Sequence, residues 1–290
     1  MNDVFCGIDK NTKFLIVGLG LMGGSYAKAL KKHGFCVYAI DNNEKSINYA
    51  LENGIIDKGA ITPDEQLVNS ADIVVFALYP QVFKQWIKDN QYMFKSGALI
   101  TDVTGVKSGV VEDIQSILRN DVEFIAAHPM AGKEVYGVQN SDDKIFLNAN
   151  YIVVPTEKNT PAAIDKCKAL GIILRFERIS ELTPDKHDEM IGFVSQLTHL
   201  IAISLMTCSD NEHLVDYTGD SFRDLTRIAR INENMWCELF LMNKDRLLAQ
   251  MNAFENEFCE IKNMLQSENI DGLKEKMRLS TKRRALFDKK

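Results

Sequence analysis

The stretch FLIVGLGLMGGS, residues 14–25, restricts the fold more than any other part of the chain. A short apolar run ends in GxGxxG (Gly18, Gly20 and Gly23), and an amphipathic segment follows at 22–33. The three glycines have separate tasks. Gly18 permits a tight turn, Gly20 lets the backbone approach a pyrophosphate, and Gly23 lets the helix pack on the strand. The helix N-terminus then faces the phosphates, with Leu21 and Met22 in the same turn. The next apolar run, CVYAI, ends at Asp41, 18 residues after Gly23. A carboxylate there accepts from ribose hydroxyls and repels a 2′-phosphate. No arginine follows in DNNEKS, so the expected cofactor is NAD, not NADP.

Six further short runs rich in β-branched residues are expected as buried strands: 36–40, 72–78, 98–101, 123–127, 150–155 and 171–177. Helix-like segments, such as 22–33 and 107–119, alternate with them, which predicts a parallel sheet covered by helices on both faces. From Thr183 onward the pattern is helical, with long apolar stretches at 235–265. The expected architecture is an α/β, Rossmann-type domain over 1–179 and an all-helical domain over 180–290, with the junction inside RISELTP (178–184). The apolar stretches exceed what one surface helix buries, which predicts a homodimer through the helical domain, with an intradomain core as the alternative. Because the chain ends with those helices, no further regulatory domain of usual size is expected.

The net charge of -6 disfavours a dedicated nucleic-acid binder, so an anionic substrate needs a local cation. Six scattered cysteines without a CxxC pair are expected as small buried hydrophobes in a reducing cytosol, and no metal site is expected. The N-terminal segment does not read as a signal peptide, and no uninterrupted apolar run suits a bilayer span, so a cytoplasmic protein is expected.

Asp41, Tyr79, Pro80, Asp102, Thr104 and His128 all fall at or just beyond carboxyl ends of predicted strands, the edge where open parallel sheets bind ligands. His128 opens HPMAGKEVYGV, and Glu134 follows within that loop. In HDEMIGFVSQLTH, Ser195 and His199 share a helical face, with His187 about two turns before Ser195 and roughly on the same side. Asp224 and Arg227 are i, i+3 neighbours ahead of Trp236. They read either as a helical ion pair or as a guanidinium fork for a carboxylate, held in place by Asp224.

GLGLMGGS, TDVTGVK, HPMAGKEVYG, HDEMIGFVSQLTH and FRDLTRIARINENMW occur in the order and spacing of the prephenate/arogenate dehydrogenase family, and the resemblance runs over nearly the whole chain. It implies NAD-dependent oxidative decarboxylation on the route to tyrosine, with a helical domain that makes the dimer. It assigns catalysis to His128 with a neighbouring hydroxyl, here that of Thr104. Cofactor contacts go to Gly18, Gly20, Leu21, Met22, Gly23, Asp41, Tyr79, Pro80 and Asp102. Arg227 becomes the substrate-binding arginine, and Glu134, His187, Ser195, Gln196, His199, Asp224 and Trp236 line or support the pocket.

Three positions depart from the family pattern. Thr104-Gly105 stands for a Gly-Ser pair, which displaces the hydroxyl by one residue. SQLTH stands for SHLPH, and Lys133 stands where threonine is common. Prephenate is the expected substrate and arogenate the alternative, because Gln196 is neutral where an ammonium would call for a carboxylate. A β-hydroxyacid-type dehydrogenase would place a catalytic lysine in the helical half, and Lys186 there looks solvated. A non-catalytic NAD-binding regulator would not need His128 and Arg227 together.

Overall fold

The computed structural model describes residues 6–287; the opening residues used in the signal-peptide reading fall partly outside them. Among the described residues there are nine strands: β1 (Lys13–Val17), β2 (Cys36–Ile40), β3 (Lys58–Ala60), β4 (Ile73–Phe76), β5 (Leu99–Asp102), β6 (Glu123–Phe124), β7 (Ala126–Met130), β8 (Asn150–Val154) and β9 (Arg178–Glu181). The helices of this half are α1 (Leu21–Lys32), α2 (Glu44–Glu52), α3 (Glu65–Ser70), α4 (Pro80–Asn90), α5 (Val110–Ile117) and α6 (Pro161–Ile173).

Strands β1 to β6 form one parallel sheet in the order β3-β2-β1-β4-β5-β6. The chain order reverses between β1 and β4, which opens a crevice beyond their carboxyl ends. Apolar side chains on the sheet's two faces form two buried clusters, as the unbroken β-branched runs require. Local sequence sets the helix starts: Asn43 caps α2, Asp64 caps α3, and Thr160 caps α6 with Pro161 in its first turn.

Several expectations are corrected here. The run 123–127 is two strands. β6 ends the large sheet, and β7 begins a second sheet of order β7-β8-β9, in which β7 runs antiparallel to β8. His128 therefore sits inside β7, paired with Ile152, and not beyond a strand end. The run 171–177 is no strand: its first residues complete α6, and Arg175 turns the chain with φ +67° before β9. A short apolar run cannot by itself distinguish a buried strand from the end of a buried helix. The short edge strand β3, KGA, is too polar to stand out in the sequence. Only Cys167 among the cysteines is buried; Cys36 is half-buried, and Cys6, Cys208, Cys237 and Cys259 are exposed.

β9 crosses position 179/180 and pairs with β8, and helical structure begins at Pro184 behind a Thr183 cap. This half holds α7 (Pro184–Ile191), α8 (Thr198–Thr207), α9 (Leu214–Tyr217), α10 (Asp220–Thr226), α11 (Glu233–Met242), α12 (Lys244–Gln266) and α13 (Ile270–Arg284). Residues Gly192–Leu197 continue α7 into α8 as a π-helical stretch. The whole run Pro184–Thr207 is long and apolar enough to cross a membrane by length and composition, with mean hydropathy 1.5 in its most apolar window. The sequence reading passed over it because polar residues interrupt it. Those residues, His187, Asp188 and Gln196, are buried and hydrogen-bonded within the protein.

Candidate active site

The glycine turn has the geometry its spacing predicts. Gly18 has φ +95°, and a Cβ on it would lie 2.5 Å from the Ala77 carbonyl oxygen of the neighbouring strand's exit. A Cβ on Gly23 would lie 1.9 Å from the Gly18 oxygen, so helix and turn touch directly. A Cβ on Gly20 would meet nothing within 4 Å. That open cradle at the start of α1, beside half-buried Leu21 and Met22, fits a pyrophosphate. Asp41 follows β2, and its carboxylate accepts from the backbone N–H of Leu19 at 2.5 Å and of Asn43 at 2.8 Å. These bonds aim it at the turn and leave lone pairs for ribose hydroxyls. Tyr79 and Pro80 open α4 at the end of β4, and the Tyr79 hydroxyl accepts from Asn232 of the helical half at 3.2 Å.

Asp102 and Thr104 stand elsewhere than expected. Both are buried. The Thr104 hydroxyl donates to the Asp102 carboxylate, which also accepts from the Lys107 ammonium at 2.6 Å and the Ala127 N–H at 3.1 Å. Neither side chain is free to meet a cofactor or substrate. The residue facing the imidazole is Gly105: a Cβ there would lie 4.0 Å from His128 Nε2 and 3.4 Å from Leu239. The displaced hydroxyl of Thr104 is thus turned into the interior.

His128 leads a chain of polar groups that crosses into the helical half. Its Nδ1 lies 2.9 Å from Nε2 of His187, and Nδ1 of His187 lies 2.7 Å from Oδ1 of Asp188. The Asp188 carboxylate also accepts from the backbone N–H groups of Lys107 at 2.8 Å and Ser108 at 2.7 Å. A carboxylate only accepts, so His187 donates from Nδ1. Neutral His187 then accepts at Nε2 from the Nδ1–H of His128, and Nε2 of His128 is left without a proton. Burial, then His187 and then the Lys107 charge push the His128 pKa well below the usual histidine range. Burial also lowers His187, against the opposing pull of Asp188. Asp188 is itself lowered: burial raises it, but its bond to His187 and the two backbone N–H groups prevail.

Asp188, Lys107 and Asn243 were missed in the sequence. Asp188 had one available signal, its place directly after His187. Asn243 donates to the Asp188 carbonyl at 2.9 Å and to Gln196 Oε1 at 2.7 Å, while Gln196 donates to the Leu239 carbonyl at 2.9 Å. Gln196 is buried and its amide is engaged with its neighbours, so it supports the site and does not face the substrate.

Arg227 donates to Glu134 at 2.5 Å. Glu134 lies six residues after His128, so this ion pair ties the guanidinium to the histidine's own loop. The pairing of Arg227 with Asp224 is not formed; Asp224 is exposed on α10. His199 stacks on Trp236 with ring centroids 3.8 Å apart, and its Nδ1 bonds the Ser195 carbonyl at 2.8 Å. Burial lowers the His199 pKa, and Glu134 and Arg227 are close enough to pull it in opposite directions. Ser195 therefore contributes through its backbone, and His199, Trp236, Arg227 and Glu134 form one cluster.

A Rossmann-type sheet with an open phosphate cradle, joined to a helical half that completes a histidine site, defines an NAD-dependent dehydrogenase. Residues 26–171 match the family described as "Prephenate dehydrogenase, nucleotide-binding domain", and residues 183–279 match "Prephenate dehydrogenase, dimerization domain". The prephenate dehydrogenase of Bacillus subtilis is 30% identical over 268 residues, covering 89% of this chain and 71% of that one. That of Lactococcus lactis is 34% identical over 258 residues, covering 86% and 70%. The crystal structure of prephenate dehydrogenase from Aquifex aeolicus in complex with hydroxyphenyl propionate and NAD+ superposes with a TM-score of 0.86 at 31% identity, covering 96% of this chain and 98% of that one. The chain belongs to the prephenate dehydrogenase family.

Proposed function

We propose that the protein converts prephenate to 4-hydroxyphenylpyruvate with reduction of NAD+ and release of CO2, and that His128 Nε2 is the base. The observation that carries this is the His128–His187–Asp188 chain, which leaves Nε2 as a proton acceptor, with Arg227 paired to Glu134 in the loop that follows His128. Gly18, Gly20, Leu21, Met22 and Gly23 would hold the pyrophosphate, Asp41 the adenosine ribose, and Tyr79 and Pro80 would border the nicotinamide. When bound, that ring supplies the hydride acceptor.

Prephenate carries a hydroxyl at C4, a ring carboxylate and a pyruvyl side chain. Nε2 of His128 takes the hydroxyl proton as hydride leaves C4, and His187 and Asp188 stabilise the imidazolium that forms. Loss of the ring carboxylate as CO2 then sends its electron pair through the ring to that oxygen, which takes the proton back from the imidazolium; the ring becomes aromatic, so the protein's main task is alignment. Arg227 exchanges its contact with Glu134 for a substrate carboxylate. His199 and Trp236 provide a stacked wall beside it.

The alternative substrate, arogenate, has an ammonium in place of the side-chain keto group. Gln196 does not discriminate between the two, being buried; Glu134 is the carboxylate beside Arg227. Steady-state kinetics with prephenate and arogenate, each with NAD+ and NADP+, test the assignment. A kcat/KM for arogenate above that for prephenate overturns the substrate, and a preference for NADP+ overturns the cofactor.

A homodimer through the helical half is supported by exposed Phe193, Val194, Leu241, Leu248, Met251, Phe254 and Phe258 on the π stretch, α11 and α12. A second copy covering this surface also accounts for the apolar run Pro184–Thr207 as an interface helix in a cytoplasmic enzyme. The functional division of the chain is placed inside 178–184.

A further inference from the structure

We propose that Lys107 is a positioning residue for the imidazole of His128, holding the carbonyl of Ala127 with its ammonium and the carboxylate of Asp188 with its backbone N–H. The inference rests on the reading of His128 as the base. Lys107 is fully buried in the loop that leads into α5. Its Nζ donates to the Ala127 carbonyl at 2.6 Å, to Asp102 Oδ2 at 2.6 Å and to the Thr104 hydroxyl at 3.2 Å, so each ammonium hydrogen has a partner.

Ala127 immediately precedes His128. Its carbonyl is held by Lys107 and its N–H by Asp102 Oδ1, so the Lys107–Asp102 pair fixes both backbone polar groups of the residue before His128. The other contact reaches the opposite end of the imidazole chain. The Lys107 N–H meets Asp188 Oδ1 at 2.8 Å, and the adjacent Ser108 N–H meets Oδ2 at 2.7 Å. Asp188 lies on α7, in the helical half. One residue therefore sets where the imidazole's backbone sits and how its tautomer is anchored, and it does so across the junction of the two halves. A buried ion pair is weak evidence for stability, since apolar groups of similar shape often serve as well. Two handles on the same histidine give this pair a second task.

The charged and titratable groups around the imidazole are His187 with Asp188 behind it on α7, and Lys107 with Asp102 behind β7. Removing the ammonium charge lets His128 keep its proton to higher pH.

The test uses the full chain with Lys107→Met and Lys107→Met/Asp102→Asn. The double variant removes both members of the Lys107–Asp102 ion pair, so neither is left buried without the other. Thermal melting, NAD+ affinity by fluorescence, and kcat and KM for prephenate across pH are measured. In the double variant kcat is expected to fall by about 10- to 100-fold, with KM and NAD+ affinity within about threefold. In Lys107→Met the acid limb of kcat/KM is expected to move up by about one pH unit. A folded double variant with wild-type kcat, or a folded Lys107→Met with an unmoved acid limb, overturns the proposal. His128→Asn separates the two readings. If that variant turns over normally, the base assignment fails; if it is inactive while the Lys107 variants behave as wild type, only the role of Lys107 fails.

Discussion

Nδ1 of His128 and Nε2 of His187 are 2.9 Å apart, and this contact joins the sheet to the helical half at the proposed base. The acidic partner that sets its direction, Asp188, is held by backbone N–H groups of the nucleotide-binding half. Four predictions follow from this arrangement and from the surfaces around it.

Asp188→Asn replaces an obligatory acceptor with an amide that can donate to His187, which reverses the tautomers along the chain. Turnover is expected to fall by about 100-fold or more. KM for prephenate should change little, because Asp188 is fully buried behind His187. Stopped-flow measurement of NADH formation checks this, and a variant with normal turnover rejects the tautomer argument.

The low pKa of His128 sets the pH dependence. The base is neutral well below the ordinary histidine range, so kcat/KM should hold as pH falls past about 6.5 and decline only at the depressed value. Stability follows the same sign. His128 and His187 are lowered in the folded protein, so unfolded chains bind more protons below the unfolded pKa. That stability is complete above the unfolded histidine value and is lost as pH falls from there through the folded pKa. Urea titrations across pH 4–8, roughly the range where histidine and carboxylates respond, would contradict this if stability rose on acidification.

Arg227→Ala should raise KM for prephenate by about 10- to 100-fold while leaving kcat within a few-fold. A guanidinium that anchors a substrate carboxylate away from C4, where hydride leaves, contributes mainly to binding. An effect confined to kcat would place Arg227 at the reacting centre instead.

The glycine turn offers a contrast between two small changes. Gly23→Ala drives a methyl group to 1.9 Å from the Gly18 oxygen, so backbone must move, and a loss of about 1–3 kcal/mol or more is expected. Gly20→Ala enters open space. It should leave the melting temperature near wild type while raising KM for NAD+, because the methyl occupies the cradle the phosphates need. Melting curves and NAD+ titrations of the two variants distinguish folding from binding.

The glycine turn, Asp41, Tyr79 and Pro80 were legible because each is a local signal: three glycines at fixed spacing, and residues that directly follow apolar runs. His128, Glu134 and Arg227 were singled out from residue type and family resemblance, yet their grouping was not visible in spacing. Asp102, Thr104 and Gln196 drew attention as polar residues near the site. Burial decided otherwise, because each closes its hydrogen bonds on neighbouring protein groups. The segment His187–His199 shows the difficulty most directly. On unbroken α-helical spacing its two histidines stand about 120° apart around the axis, but the under-wound π turns at Gly192–Leu197 shift the phase of all that follows.

The sequence by itself determined the alternation of strands and helices, the phosphate cradle and its cofactor class, because these depend on hydrophobic period and on glycines within a dozen residues. Tertiary structure alone decided which nitrogen of His128 is free, that Arg227 pairs with Glu134 and not with Asp224, and that Lys107 and Asp188 meet. Those contacts join residues 81 and 93 positions apart. They follow from how two halves of the chain pack, which no local pattern encodes.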